Sequence, residues 1–201
     1  YDKHGWRNRN QIKTKQGRQW LTIPVHSKGV TEGIPIMDVK IDWSKPWAKN
    51  HLKALTFAYA KATYFASFST WLDSVFSRRD SHLADLTIWL TIEIARMLGI
   101  SHTRFMRSSE IPGIDGQKTE RLIQILKHVG AKHYISGPSA REYIEDERFD
   151  EAGITLEYME YNYPEYPQLY PPFDPYITVL DLLFMIGDEA GGYIHPSLKK
   201  A

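Results

Sequence analysis

The first residues that could do chemistry lie in the basic, amide-rich stretch "WRNRNQIK" near the start of the chain. Its Arg7, Arg9 and Lys13 are cationic, and Asn8 and Asn10 each carry both a donor and an acceptor. Such groups suit phosphate oxygens and sugar hydroxyls, so we expect them to bind substrate. If the stretch is a strand, asparagines and arginines point to opposite sides, and only one row can face a ligand. A solvated basic arm is the alternative interpretation.

A second candidate is the turn "SGPSAR", which follows a short apolar strand and precedes a predicted helix. At such a turn, unpaired backbone N–H groups and the positive end of the helix dipole can hold an anion. Gly137 allows a close backbone approach, Ser136 and Ser139 offer hydroxyls, and Arg141 can pair with phosphate or carboxylate. Ordinary helix capping by Ser and Pro explains the same residues equally well, so both interpretations stay open.

The histidines offer general bases but no metal site. None of the 8 histidines shows the helical pair spacing with a nearby carboxylate that zinc requires, so no metal is expected. His51 lies in the first turns of a predicted helix and His26 ends a predicted strand, so each could accept a proton if it lines a pocket. We select His51 as the candidate catalytic base, and a partly buried, hydrogen-bonded imidazole is the alternative.

The segment "YNYPEYPQLYPPFDPY" is the most unusual in composition. Tyrosine rings on a rigid, proline-rich backbone can stack on a sugar or a base, and we retain Tyr166 and Gln168 as candidate ligand contacts. The alternative is an extended polyproline-like segment that covers the core with its rings.

Composition excludes several classes of function. The absence of cysteine excludes thiolate nucleophiles and Cys-ligated metals, and a net charge of +1 gives no overall attraction to nucleic acid. The cations concentrate near the start and the acids between Glu142 and Glu189, which disfavours nucleic-acid binding further. No apolar run reaches the ~20 residues that span a bilayer. The lack of cysteine fits a reducing cytoplasm, and we expect a cytoplasmic protein without a membrane span.

Hydrophobic periodicity gives the elements of the first half of the chain. Period-two alternation predicts two strands between Trp20 and Asp42, separated by the turn-rich "HSKGVTEGIP". Helical spacing then predicts a helix after Pro46, a second over residues 65–76, and a third over residues 83–97 that ends at Gly99.

Beyond Gly99 the pattern alternates between strand and helix. The strands are predicted at "SHTRFM", "HYIS" and "ITLEYMEY", with helices between them, which favours parallel pairing through crossovers. A last helix is predicted from Thr178, with Asp181 completing a capping box. The expected fold is mixed α/β, a partly parallel sheet flanked by helices, as a single domain over residues 1–201.

Taken in series, several motifs resemble the WbqC-like protein family. They are "WRNRNQIKTKQGRQWLTIPV", "HLKALTFAYAKATYF", "GAKHYISGPSAREYI", "FDEAGITLEYMEY" and "YPQLYPPFDPYITVLDLLFMIG", and they cover essentially the whole chain. The resemblance implies a bacterial protein encoded among genes for O-antigen and other surface polysaccharides. Family members normally carry a further strand segment upstream of Tyr1. We therefore expect the first strand and part of the active site to lie outside this sequence.

The resemblance also implies a function and a set of residues. The implied function is a transferase that moves an acyl or aminoacyl group to an amino sugar, and a non-catalytic carbohydrate- or nucleotide-binding module is the alternative. The substrate would be a nucleotide-linked sugar, with an acyl-CoA or a carrier-protein-linked donor and no tightly bound cofactor. The polar residues that match the family are Trp6, Asn8, Arg9, Asn10, Lys13, His51, Tyr59, Ser136, Gly137, Tyr143, Gln168 and Asp181.

Overall fold

The computed structural model describes residues 1, 5–26 and 34–198, and the chain is mixed α/β as predicted. It divides into two compact units. The first unit consists of Tyr1–His102 together with Tyr163–Ala201, and the second unit is Thr103–Asn162. Most of the predicted turn "HSKGVTEGIP" lies outside the described residues.

The basic N-terminal stretch folds as the first strand of a hairpin in the first unit. Strand β1 (Arg9–Thr14) pairs antiparallel with β2 (Gly17–Thr22), and Gly17 takes the positive φ that the tight turn requires. Ile12, Lys13 and Thr14 are 1%, 5% and 7% exposed, so the end of β1 is buried on both faces. The stretch is therefore part of the folded unit and does not extend as a solvated arm.

The two strands predicted between Trp20 and Asp42 are largely wrong. Strand β2 ends at Thr22, and Ile36–Asp38 form a short 3₁₀ helix. Farther along, Val25 and Ile41 form only an isolated bridge. Pro24 and Pro35 explain the difference, because proline has no N–H to donate to a strand ladder.

The helices of the first unit form its core. They are α1 (Trp47–Tyr59), α2 (Ser69–Ser77), α3 (Leu83–Met97), and, after the second unit, α6 (Val179–Ile186) and α7 (Gly191–Ile194). Tyr59 and Leu55 of α1 pack against Ile12, Leu72 and Phe184. Apolar faces of α1, α2 and α6 thereby hold β1 in place. Among the described residues, no helix combines the length and the apolar character needed to cross a membrane.

The second unit is a small α/β layer around Phe149, which is fully buried. Its elements are α4 (Lys118–His128), β3 (His133–Ser136), α5 (Asp146–Glu151) and β4 (Thr155–Tyr158), and β3 pairs with β4 in parallel. The third predicted strand, "SHTRFM", is wrong, because all six of its residues are exposed and form no ladder. The parallel sheet therefore has two strands.

At the start of α6, the predicted N-cap Thr178 is confirmed, but the predicted capping-box role of Asp181 is wrong. The Thr178 hydroxyl accepts a hydrogen bond from the Leu180 N–H at 3.4 Å. Asp181 completes no capping box, since its carboxylate instead accepts a hydrogen bond from the Tyr166 hydroxyl at 2.9 Å. Asp181 is 1% exposed, so α6 brings a carboxylate into the core.

Candidate functional site

A cavity of about 310 Å³ lies within the first unit, between the hairpin and helices α1, α2, α3 and α6. The hairpin side carries most of the polar groups, beside Ile12, Leu21 and Ile23, and the helical side is mainly apolar. Five of the predicted site residues line it: Arg7, Asn8, Arg9, Asn10 and His51. We call it the His51 cavity.

Its polar side is held rigidly by the hairpin. The Asn8 side chain donates to the Ile23 carbonyl at 2.9 Å, and the Ile23 N–H donates to the Asn8 carbonyl at 2.8 Å. The guanidinium of Arg9 lies 4.4 Å from the ring centre of Trp20, which fixes the charge by a cation–π contact. Two cations, Arg7 and Arg9, therefore line the cavity beside a firmly held amide.

His51 has the properties of a base in this cavity. Burial lowers its pKa from 6.5, and a hydrogen bond to the backbone of Thr22 opposes that shift only in part. The imidazole also packs edge-on against Trp47, with ring centres 5.3 Å apart. A neutral imidazole that donates from one nitrogen to a carbonyl keeps the other nitrogen as an acceptor. His51 can therefore accept a proton at neutral pH in a fixed orientation.

Trp47 and Trp71, which both line the cavity, carry buried hydrogen-bond donors that have no acceptor on the residues the structure describes. The indole N–H groups of Trp47 and Trp71 are buried, and neither has a hydrogen-bond partner within the described part of the chain. Leaving such a donor unsatisfied costs about 1–3 kcal/mol. Neither residue was predicted from the sequence, because an aromatic residue at helical spacing is usually a core residue.

Lys13, Tyr59 and Gln168 form a separate buried network instead of lining the His51 cavity. Lys13 is 5% exposed, and its ammonium donates to the Gln168 side-chain oxygen at 2.5 Å and to the Pro172 carbonyl. Its backbone N–H donates to the Tyr59 hydroxyl at 3.0 Å. The predicted aromatic cover is thus tied to β1 by a buried cation.

Asp181 is the anion of this network. Its carboxylate accepts hydrogen bonds from the hydroxyls of Tyr59 and Tyr166, and Lys13 adds a favourable charge. Burial nevertheless raises the pKa of Asp181, and burial also raises the pKa of both tyrosines. An aspartate within the apolar run "VLDLLFMI" was the sequence signal for such a buried acid.

A second cavity, of about 430 Å³, lies where the hairpin turn meets the proline-rich segment, and we call it the strap cavity. Arg18 and Asp174 form a two-pronged ion pair there, at 2.6 and 2.8 Å, and the guanidinium lies 5.3 Å from the Tyr176 ring centre. Burial opposes ionisation of Asp174, but the bonds from Arg18 and the Tyr176 N–H outweigh it and lower the pKa of that carboxyl. Neither Arg18 nor Asp174 was among the site residues predicted from the sequence.

The turn Ser136–Arg141 belongs to the second unit. The helix after Gly137 is a 3₁₀ helix of 5 residues, Pro138–Glu142, which is too short for the dipole argument used above. Ser136 is buried, and its carbonyl accepts from the Met159 N–H at 2.8 Å. Arg141 stacks at 4.1 Å on Tyr158, and Ser139 is exposed. Anion binding at this turn therefore stays a prediction.

Within the described residues, no group of three or more His, Asp or Glu side chains is arranged to hold a metal ion. The cations of the His51 cavity could instead hold the phosphates of a dissociable ligand.

Comparison with known proteins agrees with the motifs. The model of the WbqC-like protein family matches residues 1–193. "Uncharacterized protein Rv1507c" of Mycobacterium tuberculosis (strain ATCC 25618 / H37Rv) is 42% identical over 196 residues, which cover 96% of this chain and 83% of that protein. No solved structure matches this chain. With nearly its whole length matched, the chain belongs to the WbqC-like protein family.

Proposed function

We propose that this protein is a transferase that moves an acyl or aminoacyl group to an amino sugar in bacterial surface-polysaccharide biosynthesis. The observation that carries the proposal is His51, a base of lowered pKa that is oriented by Thr22 and shares a cavity with Arg7, Arg9 and Asn8. Transfer to an amine requires such a base, because the amine loses a proton as it attacks. Both substrate classes, nucleotide-linked sugars and acyl thioesters, place the reaction in the cytoplasm.

The proposed step balances without any further reactant. The amine nitrogen of the sugar attacks the carbonyl carbon of the donor, and a C–N bond forms as the C–S bond of the thioester breaks. His51 accepts the proton that the nitrogen loses, and the leaving thiolate takes that proton from the imidazolium. Arg7 and Arg9 bind phosphates of a substrate by charge-assisted hydrogen bonds.

Lys13, Tyr59 and Gln168 have a supporting role in this proposal. Tyr59 is 0% exposed, so no ligand can touch it without unfolding the core. Lys13 and Gln168 bond to each other and to the proline-rich segment. These three residues position β1, which carries the polar side of the His51 cavity.

The test is a transfer assay in which acyl- and aminoacyl-thioester donors are combined with nucleotide-linked amino sugars, and the released thiol is measured. His51→Gln keeps a polar side chain but removes the base, so we expect a loss of 100-fold to 10,000-fold in kcat, on the order seen for general bases. His128→Gln is the control, because His128 is exposed on α4 of the second unit. Equal activity of both variants would exclude His51 as the base.

A non-catalytic carbohydrate-binding module is the second candidate, and the strap cavity favours it. Tyr176 is exposed beside the Arg18–Asp174 pair, and an aromatic face next to fixed charges suits sugar stacking and hydroxyl hydrogen bonds. Calorimetry with amino-sugar oligosaccharides separates the candidates. If the protein is a binding module, it binds these oligosaccharides, and their affinity falls in Tyr176→Ala but is unchanged in His51→Gln. No donor then releases its thiol in the transfer assay.

A further inference from the structure

The helical side of the His51 cavity, where helices α2 and α3 line it, presents mainly carbon atoms to a ligand. Helix α2 contributes Trp71 and Val75, and helix α3 contributes Leu86, Leu90 and Ile94. No charged side chain of either helix lines the cavity within the described residues. Burying the hydroxyls of a sugar against this surface would leave them without partners, at a cost of about 1–3 kcal/mol each.

The two threonines of this wall do not change its apolar character. Thr87 donates its hydroxyl to the Leu83 carbonyl at 2.9 Å, and Thr91 donates to the Thr87 carbonyl at 2.8 Å. Each hydroxyl hydrogen is therefore used within α3. The helical side thus selects for apolar groups.

The enclosed indoles add a requirement for one acceptor. Trp47 is 7% exposed, and its N–H and that of Trp71 have no partner among the described residues. An indole N–H can only donate, so a carbonyl oxygen satisfies it, whereas an ammonium group, which has no acceptor, does not. An apolar group with an adjoining carbonyl, which is an acyl group, meets both requirements.

Size limits what the cavity can enclose. At about 310 Å³ it lies at the lower end of small-molecule pockets, which span about 300–1,000 Å³. It can enclose an acyl group but not the phosphorylated carrier as well. Arg7 and Arg9 line the same cavity on its polar side and carry the charge that an anionic carrier would meet.

We propose that the helical side of the His51 cavity is an acyl-chain subsite, which takes an apolar acyl group longer than acetyl from an anionic thioester donor. The inference rests on the proposed function and narrows it, because it selects acyl donors with an apolar chain over aminoacyl donors with a charged ammonium group. Leu90 and Trp71 determine which chains fit.

The test is calorimetric binding of acetyl-, butyryl- and octanoyl-CoA to the full chain. Butyryl adds two methylenes to acetyl, and at about fourfold per buried methylene we expect an affinity about 16-fold higher. Leu90→Trp fills the subsite and abolishes this gain, whereas Leu90→Ala moves the preference towards octanoyl. Ile92→Trp is the control, because Ile92 lies on α3 but does not line the cavity. Equal affinities for the three thioesters in wild type would overturn the proposal.

The carbonyl contact has its own test. Trp71→Phe removes the indole N–H together with some carbon surface, so we expect it to weaken butyryl-CoA several-fold more than the butyl thioether of CoA, which lacks the carbonyl. An equal effect on both ligands would overturn the contact.

The two proposals fail in distinguishable ways. If affinity rises with acyl-chain length but no donor releases its thiol, the acyl-chain subsite is supported and the transferase function is refuted. If aminoacyl donors release their thiol and affinity does not rise with acyl-chain length, the transferase function is supported and the acyl-chain subsite is refuted.

Discussion

The substitution Tyr59→Phe tests whether the buried network stabilises the first unit. It removes one hydroxyl from a fully buried ring and leaves the ring to pack against Phe184 as before. The hydroxyl accepts from the Lys13 backbone N–H at 3.0 Å and donates to the Asp181 carboxylate. The variant therefore leaves a buried N–H without an acceptor and a buried carboxylate short of one donor.

The expected magnitude follows from these two losses. An unsatisfied buried N–H costs about 1–3 kcal/mol, and a hydrogen bond to a charged group contributes about 1.5–3 kcal/mol. We expect Tyr59→Phe to lower the free energy of unfolding by about 2.5–6 kcal/mol. At a typical urea m-value of about 2 kcal/mol/M, the midpoint falls by about 1.3–3 M.

The assay is urea unfolding at neutral pH followed by tryptophan fluorescence. All 6 tryptophans lie between Trp6 and Trp89, so the signal reports the first unit alone. Tyr170→Phe is the matched control, because it removes a single hydrogen bond, from the Tyr170 hydroxyl to the Ala58 carbonyl at 3.1 Å, and should cost about 1 kcal/mol. If both variants lose the same stability, the buried network does not stabilise the first unit.

Two further predictions concern single positions. Burial lowers the pKa of His51 in the folded chain, so as the pH falls His51 binds a proton in the unfolded chain first. The contribution of neutral His51 to the free energy of unfolding is therefore complete above pH 6.5 and is lost as the pH falls through the folded pKa. The acid limb of kcat/KM should likewise lie below pH 6.5, and a limb at a higher pH would contradict the burial argument. Gly187→Ala should cost about 2–4 kcal/mol, since φ is +66° and the added Cβ would lie 2.6 Å from the Tyr64 ring. Gly99→Ala, with φ +82° and open space, should cost about 1 kcal/mol in the same urea assay, and equal costs would refute the steric part.

The sequence predicts the long helices because their patterns are local. Helices α1, α3 and α4 repeat apolar residues every three to four positions and were located correctly. The prediction of two strands between Trp20 and Asp42 is largely wrong because it rests on the alternation of apolar and polar side chains alone. Pro24 and Pro35 have no backbone N–H to donate to a strand ladder, and this pattern does not take that into account.

The candidate site was only partly predictable, for a physical reason. Arg7, Asn8, Arg9 and Asn10 are neighbours in sequence, and polar residues at such density indicate a site on their own. The helical wall, with Trp71 and the other apolar residues, is not recognisable, because a residue that lines a cavity has the same composition as one that fills a core.

The split of the first unit between two chain segments has a consequence for how the protein is made. Lys13 bonds to Gln168 at a separation of 155 residues, and the second unit is continuous between them. During synthesis from the N-terminus, the second unit can close its core around Phe149 as soon as Asn162 has emerged from the ribosome. The hairpin and α1 must wait until α6 has also emerged. Until then the chain segment of β1 exposes Ile12 and a cation, Lys13, whose buried partner Gln168 comes from the end of the chain.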